Sequence, residues 1–471
     1  MRFEMQILDK KKLRGRADLT REKAPPGPHA RKVISSDARG GRQMRRGSEP
    51  MDHGGAGFAQ HERRRAAAAR RRLAHLAGAV AEPAPTLRRE PCAAHLHPGT
   101  AVVVGGMVLD VTASPAPGAS LRRGSSTPGV VRQNPGGVGR NIAEGIARLV
   151  GPHGAPPLLI AAVGDDLAGR ALINAWRAVG ADPRGVRVCA AASTPVVTTM
   201  LDHDGEVAAS VADTLTAETG VDPSWIASFA ADVGRATVCV VDGNCTPDVI
   251  DHVVERAERV VGEWANDERK PIVWFEPVSV AKSVRAASSL RRIDYASPNA
   301  AECRAMANAT RRGRGSNPRP MDASIFEFTS AEAAVAEMGD DVEVLLDAGV
   351  GAVVLTLGAL GCVLCRGGGG DWRHVPALGD GPPLRSLVGA GDALVAGACA
   401  ALAAGRDDET AVGVGVALAR RAAETDGNVP AGHSLPSLER DAAGTMARVR
   451  TMARGRRGAR GRRELVTSGC G

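Results

Sequence analysis

Aromatic side chains are scarce in this chain, whose 471 residues include one Tyr, six Phe and five Trp. Proteins that read single-stranded nucleic acids stack bases on such rings, so the shortage argues against that class of function. Long uncharged apolar runs are also missing, and no stretch reaches the roughly 18 residues that a membrane-spanning helix needs. Aliphatic side chains must therefore build the core, and we expect a soluble protein.

Cysteine occurs nine times, but in no spacing typical of a disulfide framework or a zinc site. Cys362 and Cys365 form a CxxC pair within a strand-like run, and no second CxxC or histidine pair accompanies it. The cysteines therefore indicate reduced thiols in an intracellular protein.

Positive charge is concentrated at the two ends of the chain. Residues 1–98 hold 22 Lys and Arg against 10 Asp and Glu, and residues 445–471 hold 8 against 1. Residues 99–444 hold 30 against 41, an acidic balance that is common in enzymes of small molecules. We expect a flexible basic arm over residues 1–98, a folded domain over 99–444 and a basic tail over 445–471. Nucleic acid is not an expected partner of the folded domain.

The basic arm has features of a targeting segment. Its Arg and Ala content fits an organellar transit segment. Arg88-Arg89, followed by His95-Leu96, approaches a peroxisomal targeting pattern, although Arg89 stands where that pattern has an aliphatic residue. We therefore expect an organelle, with the peroxisome as one candidate and the cytoplasm as the alternative.

Apolar runs and amphipathic stretches alternate from Thr100 onward. The pattern predicts strands at 101–107, 158–163, 236–241, 272–275 and 352–357, and helices at 140–150, 168–179, 248–264 and 392–404. Such alternation predicts an α/β fold of three layers, with a mostly parallel central sheet between helices.

Three segments depart from this alternation. Residues of about 111–134 and 196–212 show period-two patterns, and Asp204-Gly205 supplies a hairpin turn within the second. They predict strands of a small second sheet that stands off the main one. Residues 311–320 are rich in Arg, Gly and Pro and indicate a surface insertion.

Residues 388–397, Val-Gly-Ala-Gly-Asp-Ala-Leu-Val-Ala-Gly, carry the strongest local signal of chemistry. Small residues before an apolar helical run predict a helix N-terminus at Gly389, Ala390 and Gly391. Backbone amides and the helix dipole would converge there on an anion. Asp392 is a candidate proton acceptor for an attacking hydroxyl. A plain helix cap is the alternative explanation of Asp392.

A second glycine cluster, Gly136-Gly137-Val138-Gly139-Arg140-Asn141, also leads into a predicted helix. Ile142 stands where the dinucleotide-binding pattern GxGxxG requires its third glycine, and the phosphate-loop pattern GxxxxGK[ST] is absent from the chain. Alone, the cluster is either a tight turn or part of a substrate site.

Together with Asp110, these motifs resemble those of the ribokinase-like (PfkB-type) kinases of sugars and nucleosides. The early Asp, the GGVGRN cluster and the distant GAGD follow the family's order, and Asn299-x-x-Glu302 and the segment Thr356–Gly361 lie between them. The resemblance covers residues 100–432. It implies a ribokinase-like α/β/α fold with a small β lid, and transfer of a phosphoryl group from ATP.

The resemblance also implies a role for each residue of the site. Asp392 would be the catalytic base, and the amides of Gly389, Ala390 and Gly391 would form the anion hole. The acceptor would be bound by Asp110, Gly137 and Asn141, the nucleotide by Thr356, Gly358 and Gly361, and Mg²⁺ by Asn299 and Glu302 through water or phosphate. A homodimer through the lid and a monovalent cation are further implications. Val388 replaces the Thr or Ser that is common before GAGD, which puts a hydroxyl contact to nucleotide or cation in doubt.

One branch of the family fits best. The stretches Trp274–Ser283 and Asp242-Gly243-Asn244 are similar to those of plant-type pseudouridine kinases. That similarity implies pseudouridine as the acceptor, phosphorylated on its 5′-hydroxyl. Lys282 becomes a candidate contact to nucleoside or phosphate, with a solvated surface lysine as the alternative. Adenosine, ribose and fructose are alternative acceptors, and a non-catalytic kinase-like scaffold is the alternative to an enzyme.

Overall fold

The computed structural model describes residues 100–151, 155–259, 270–379, 381–425 and 427–453. The strands are β1 (Ala101–Val104), β2 (Val108–Pro115), β3 (Gly129–Gly136), β4 (Leu158–Gly164), β5 (Val186–Cys189), β6 (Val196–Leu201), β7 (Val207–Asp213), β8 (Val238–Asp242), β9 (Ile272–Glu276), β10 (Tyr295–Ala296), β11 (Ala352–Thr356), β12 (Cys362–Arg366), β13 (Trp372–Val375) and β14 (Arg450–Met452). The α-helices are α1 (Val138–Val150), α2 (Leu167–Ala178), α3 (Leu215–Thr219), α4 (Pro223–Ala227), α5 (Ala230–Arg235), α6 (Pro247–Arg259), α7 (Val280–Ser283), α8 (Ala300–Gly313), α9 (Ala331–Leu346), α10 (Ala390–Ala403), α11 (Asp408–Ala423) and α12 (Leu435–Met446). The predicted basic arm lies outside the described residues, so its targeting role stays a prediction.

The main sheet contains ten strands in the order β14-β13-β12-β11-β10-β9-β8-β1-β4-β5. The seven strands β5, β4, β1, β8, β9, β10 and β11 run parallel to one another. Strands β12, β13 and β14 form an antiparallel edge next to β11. Strands β1 and β4 are buried along their whole length. Continuous apolar runs of this kind are expected in a parallel sheet that is covered on both faces. The predicted α/β fold is confirmed.

Two apolar clusters cover the two faces of the main sheet. Val102 and Ile160 belong to one cluster, with side chains of α6, α8 and α9. Val103 and Leu159 belong to the other, with side chains of α1, α10 and α11. Successive side chains of a strand point to opposite faces, which explains how one short apolar run serves both clusters. No helix of the described ranges is long and apolar enough to cross a membrane.

The two cysteines of the CxxC pair lie in β12. Cys362 is buried in the cluster that contains α10, and Cys365 is buried in the cluster on the opposite face. Both are free thiols, and burial raises the pKa of Cys362 to about 12. Because the thiols point to opposite faces of the sheet, they cannot bind one metal ion together.

A second sheet of four strands has the order β3-β2-β6-β7. Strands β2 and β3 are antiparallel, β6 and β7 form a hairpin, and β2 runs parallel to β6. The two edge strands, β3 and β7, are mostly exposed; Val211 of β7, for example, is 74% exposed. The predicted lid is therefore present as a separate small sheet, although β2 begins at Val108, ahead of the predicted boundary near residue 111.

The folded part continues beyond residue 444, where the sequence predicts a basic tail to begin. Helix α12 ends at Met446, and β14 pairs with β13 at the edge of the main sheet. Met452 is buried, whereas Arg450 is exposed. The net charge of residues 445–471 therefore predicted the end of the folded domain wrongly. An edge strand can place basic side chains in solvent while its apolar side chains pack against the domain.

The predicted surface insertion at residues 311–320 is also partly wrong. Residues 311–313 form the end of α8. Arg311 and Arg319 both pair with Asp341 of α9, whose side chain is fully buried. Arg304 of α8 pairs with the same carboxylate, so Arg311 and Arg319 connect α8 with α9. Residues 312–318 are exposed, as predicted for a surface segment.

Candidate active site

Glycine and polar residues collect at the carboxyl ends of the parallel strands, and the predicted site residues Asn299 and Thr356 are among them. Along this edge Gly105 and Gly106 follow β1, Asp242 ends β8, Glu276 ends β9, Asn299 follows β10 and Thr356 ends β11. In open parallel sheets, ligands bind outside this edge. The topology alone therefore favours a site here.

The first glycine turn, Gly136–Gly139, passes the end of β1 and leads into α1. Gly137 has a φ of 94°, and a Cβ at this position would lie 2.5 Å from the carbonyl oxygen of Gly106, so the backbone requires glycine. Two amides of the helix start already have acceptors. The Gly139 amide donates to Asp242 Oδ2 at 2.8 Å, and the Arg140 amide donates to Gly106 O at 3.0 Å.

Asp242 holds the turns at this end of the site. Its fully buried carboxylate accepts the amides of Gly106 at 2.9 Å, Gly139 at 2.8 Å and Asn244 at 2.8 Å. Burial raises the pKa of Asp242, and the hydrogen bonds from Gly106 and Asn244 oppose the shift. From the sequence, Asp242 is predicted only as part of the stretch Asp242-Gly243-Asn244. The signal that could have identified it is an acidic residue directly at the end of a buried strand.

Asn141 connects the two glycine-rich motifs. Its side-chain amide donates from Nδ2 to Asp392 Oδ2 at 2.9 Å. Its Oδ1 accepts a hydrogen bond from Arg140 Nη1 at 2.8 Å. Both Asn141 and Asp392 are buried. The structure thus places a predicted acceptor-binding residue in direct contact with the predicted base.

The second glycine turn, Gly389–Gly391, leads into α10. Gly389 has a φ of 80°, and a Cβ there would lie 2.5 Å from the carbonyl oxygen of Asn428. The Ala390 amide donates to Leu387 O at 3.3 Å, and intrahelical bonding begins with the Ala393 amide, which donates to Gly389 O at 2.8 Å. The first amides of a helix have no intrahelical acceptor, and with the helix dipole they favour an anion.

Asp110 reaches the same region from lid strand β2. Its Oδ2 accepts a hydrogen bond from Asn428 Nδ2 at 2.9 Å. Burial raises the pKa of Asp110, and the Asn428 hydrogen bond and the Arg140 charge oppose this shift. Asn428 was missed by the sequence reasoning, since no local pattern connects this loop residue with the lid.

Lys282 lies in the short helix α7, next to the Asp242 turn. Its Nζ donates to Asn244 Oδ1 at 2.7 Å and pairs with Glu218 at 2.9 Å. Glu218 also pairs with Arg285 at 2.6 Å. Burial alone would raise the pKa of Glu218, but hydrogen bonds from Lys282 and Arg285 outweigh burial and lower it to about 2. Lys282 is mostly buried rather than freely solvated, and its contact to a substrate stays a prediction.

A strained turn precedes Lys282. Val278 has a φ of 68° and is the only non-glycine residue with a positive φ among the described residues. The Ser279 amide donates to Pro277 O at 2.8 Å, which closes a γ-turn around Val278. A β-branched residue rarely adopts this conformation, and such strain is concentrated at functional sites. Here the turn leads directly into the helix that carries Lys282.

The predicted nucleotide residues form a separate group farther along the edge. Asn299 and Thr356 are bridge partners, and the Thr356 amide donates to Pro298 O at 3.0 Å. Gly358 begins a 3₁₀ turn. Gly361 has a φ of 89°, and a Cβ there would overlap the Val375 carbonyl. This group lies at the ends of β10 and β11, two strands away from the Asp242 turn.

Asn299 and Glu302 form a capping box at the start of α8. Asn299 Oδ1 accepts the Glu302 amide at 2.9 Å, and Glu302 Oε2 accepts the Asn299 amide at 3.0 Å. Amide and carboxylate oxygens suit Mg²⁺. Asn299 Oδ1 and Glu302 Oε2 thus already accept backbone amides, and the indirect role of both residues toward Mg²⁺, through water or phosphate, stays a prediction.

The sequence comparison with protein families identifies the class of protein. Residues 100–431 match the family described as pfkB family carbohydrate kinase. The chain belongs to the pfkB family. The resemblance drawn from Asp110, the GGVGRN cluster and GAGD is therefore confirmed at the level of the family.

Two curated relatives of this pfkB-family chain are pseudouridine kinases. The enzyme of Arabidopsis thaliana is 32% identical over 379 residues, which cover 72% of this chain and 95% of that protein. The enzyme of Escherichia coli K12 is 27% identical over 213 residues, which cover 45% of this chain and 62% of that protein.

Solved structures share the fold of this pfkB-family chain. Ribokinase of Arabidopsis thaliana, in complex with ribose and ATP, has a TM-score of 0.57 at 17% identity and covers 74% of this chain and 98% of that one. A carbohydrate kinase of Agrobacterium tumefaciens has a TM-score of 0.55 at 23% identity, with 73% and 96% covered. These similarities confirm the ribokinase-like fold.

Proposed function

We propose that this pfkB-family kinase transfers the γ-phosphoryl group of ATP to the 5′-hydroxyl of pseudouridine. The hydrogen bond between Asn141 and Asp392 carries the catalytic part of the proposal, because it joins an acceptor-binding motif to an anion-binding helix start. The choice of acceptor is supported by the similarity to two pseudouridine kinases.

In this reaction Asp392 accepts the proton of the 5′-hydroxyl. The hydroxyl oxygen bonds to the γ-phosphorus while the bond from that phosphorus to the bridging oxygen of the ADP leaving group breaks. The amides of Gly389, Ala390 and Gly391 stabilise charge on the transferring phosphoryl oxygens. The catalytic task is mostly positioning and electrostatics, which matches a site built from backbone amides and a few fixed side chains.

The remaining residues hold the two substrates. Asp110 and Asn141 would bind ribose hydroxyls, with Gly137 allowing close approach of the backbone, and Lys282 would contact the nucleoside or its phosphate. The nucleotide would be bound by Thr356, Gly358 and Gly361. Mg²⁺, held with the phosphates and organised indirectly by Asn299 and Glu302, would offset phosphate charge. A monovalent cation near the nucleotide is a further part of the proposal.

The lid has two proposed roles. Closure of the lid over the nucleoside would exclude water that otherwise competes for the phosphoryl group. A homodimer through the lid would cover its exposed apolar side chains, among them Val131 at 65% and Val211 at 74% exposure. Light scattering of the full chain tests the dimer: Val131→Asp should shift a dimeric protein toward monomer, and a monomeric wild type would remove this role.

A panel of acceptors tests the proposed function. The full chain is assayed for ADP release with Mg²⁺-ATP and pseudouridine, uridine, adenosine, ribose or fructose, and the product is identified by mass spectrometry. We expect turnover with pseudouridine well above the others, with a 5′-monophosphate as product. Turnover of another acceptor instead would support kinase activity but contradict pseudouridine as the acceptor. A folded, ATP-binding chain without turnover on any acceptor would favour a non-catalytic scaffold.

A further inference from the structure

Arg140 is a buried arginine in the first turn of α1, directly before Asn141. Its side chain is 6% exposed and pairs with Glu144, one helical turn farther along α1. It also donates from Nη1 to Pro135 O at 2.6 Å and to Asn141 Oδ1 at 2.8 Å. A buried charge is costly unless it is paired and hydrogen-bonded. These partners on both sides of the guanidinium hold it in one place beside the site.

The contact with Asn141 determines which end of that amide faces Asp392. An asparagine side chain has one acceptor oxygen and one donor nitrogen. With Oδ1 bound to Arg140, Nδ2 points to the Asp392 carboxylate, at 2.9 Å from its Oδ2. In the flipped orientation, the amide nitrogen would face the guanidinium and the amide oxygen would face the carboxylate, and both contacts would be repulsive.

Arg140 also supplies positive charge to two carboxylates from different parts of the chain. Asp110 of β2 and Asp392 of α10 both stabilise its charged form. Burial, and to a smaller extent Arg148, lower the pKa of Arg140 to about 10, so the guanidinium remains protonated near neutral pH. One fixed cation therefore lies near both the predicted base and the predicted acceptor-binding carboxylate.

We propose that Arg140 is a positioning residue for phosphoryl transfer: it orients Asn141 so that its amide donates to Asp392, and its positive charge stabilises the Asp392 carboxylate. This inference rests on the proposed function, because it needs Asp392 to be the base. Arg140 acts through Asn141 and does not itself need to touch the substrate.

Three variants of the full chain separate this role from a merely structural one. Arg140→Met removes both the charge and the hydrogen bonds. Arg140→Lys keeps the charge but cannot bind Asn141, Pro135 and Glu144 in the same planar arrangement. Arg148→Met is the matched control: Arg148 donates to the same Glu144 from the exposed side of α1, at 2.8 Å, but has no contact with Asn141.

We expect Arg140→Met to lower kcat by about 10- to 100-fold, as misplacement of reacting groups does, with little change in the KM for ATP. The acidic limb of its kcat–pH profile should move to higher pH, because Asp392 loses a neighbouring cation. Arg140→Lys should restore the wild-type pH profile but recover kcat only in part. Arg148→Met should match the wild type in both.

Two outcomes overturn the inference while leaving the proposed function intact. One is an Arg140→Met enzyme with wild-type kcat and pH profile, and the other is an equal loss in Arg148→Met. Thermal unfolding of each variant shows whether it folds. If Arg140→Met does not fold, Arg140→Lys tests the inference instead, because a wild-type kcat in that variant contradicts the orienting role. Absence of turnover in the wild type would instead overturn the proposed function, and the inference with it.

Discussion

The two glycine turns of the site begin helices in the same way but differ in what their amides bind. In the first turn, Gly136–Gly139, the carboxylate of Asp242 and the carbonyl of Gly106 accept the amides of the helix start. In the second turn, Gly389–Gly391, the Ala390 amide donates to the backbone oxygen of Leu387 at 3.3 Å. Similar sequences thus produce one turn held by a buried carboxylate and one turn that we propose binds phosphoryl oxygens.

This difference explains how one edge of a sheet can serve two purposes. The first turn is held by a buried carboxylate and therefore gives a rigid support for Asn141. The second turn presents amides at a helix N-terminus, where phosphate oxygens are favoured.

At the second turn, Asp392→Asn should reduce kcat by about 10²- to 10⁴-fold, the usual contribution of a general base. The asparagine oxygen can still accept the hydrogen bond from Asn141, so the fold and the nucleoside affinity should change little. ADP release measures the first effect, and calorimetric titration with nucleoside measures the second. Wild-type turnover in this variant would remove Asp392 from the role of base.

At the first turn, Asp242→Ala should lower the free energy of unfolding by about 3 kcal/mol or more, because several buried amides lose their acceptor. Asp242→Asn keeps one acceptor oxygen and should lose less. Asp165→Ala is the control, since Asp165 pairs with Arg170 in solvent, where both side chains are 58% exposed. Urea denaturation gives all three values, and equal midpoints would show that the carboxylate does not hold this turn.

Substitution of alanine for Gly137 in the first turn and for Gly389 in the second allows a direct comparison of the two turns. Gly137→Ala and Gly389→Ala each bring a Cβ within 2.5 Å of a carbonyl oxygen, so each should cost about 1–3 kcal/mol of stability. Only Gly389→Ala should lose kcat beyond what the folded fraction explains. Gly118→Ala, at a φ of 77° in open space, isolates the backbone strain alone. Equal losses of kcat per folded protein at both turns would contradict the division of roles.

The smallest effect concerns Glu218, which reaches the first turn through Lys282 and Asn244. Its pKa is lowered from 4.5 to about 2 in the folded chain, so the stability it contributes is complete above pH 4.5 and is lost as the pH falls toward 2. Glu218→Gln should remove about 1 kcal/mol of that pH dependence, as is usual for a part-exposed ion pair. Urea midpoints between pH 6 and 2 test this, and parallel curves for both proteins would refute it.

The central sheet and the lid could be predicted because their patterns are local. Strand β4 is apolar throughout since both faces are covered, whereas lid strand β7 is exposed at all of its residues except Val207. The elements at residues 445–452 could not be predicted from net charge, which does not distinguish a basic tail from a basic edge strand.

The site was predictable only where a motif is contiguous in sequence. The GAGD motif predicts the position of Asp392, and the GGVGRN motif predicts that of Asn141, because a glycine turn before an apolar helix can be recognised in a single sequence. Arg140 stands within the GGVGRN motif, but its contact with Asn141 depends on a side-chain rotamer that the spacing of residues does not predict. Asn428 and Glu218 contribute through tertiary contacts from loops and short helices, and their sequence surroundings carry no chemical signal.

The hydrogen bond between Asp110 and Asn428 has a consequence for synthesis of the protein. It connects residues 318 positions apart, and the bond between Asn141 and Asp392 spans 251 positions. Contacts of such sequence separation form late in folding, because loop closure must precede them. A chain emerging from the ribosome can form these two hydrogen bonds only after nearly all of its domain has left the exit tunnel. The residues proposed to bind the acceptor therefore come together only near the end of translation.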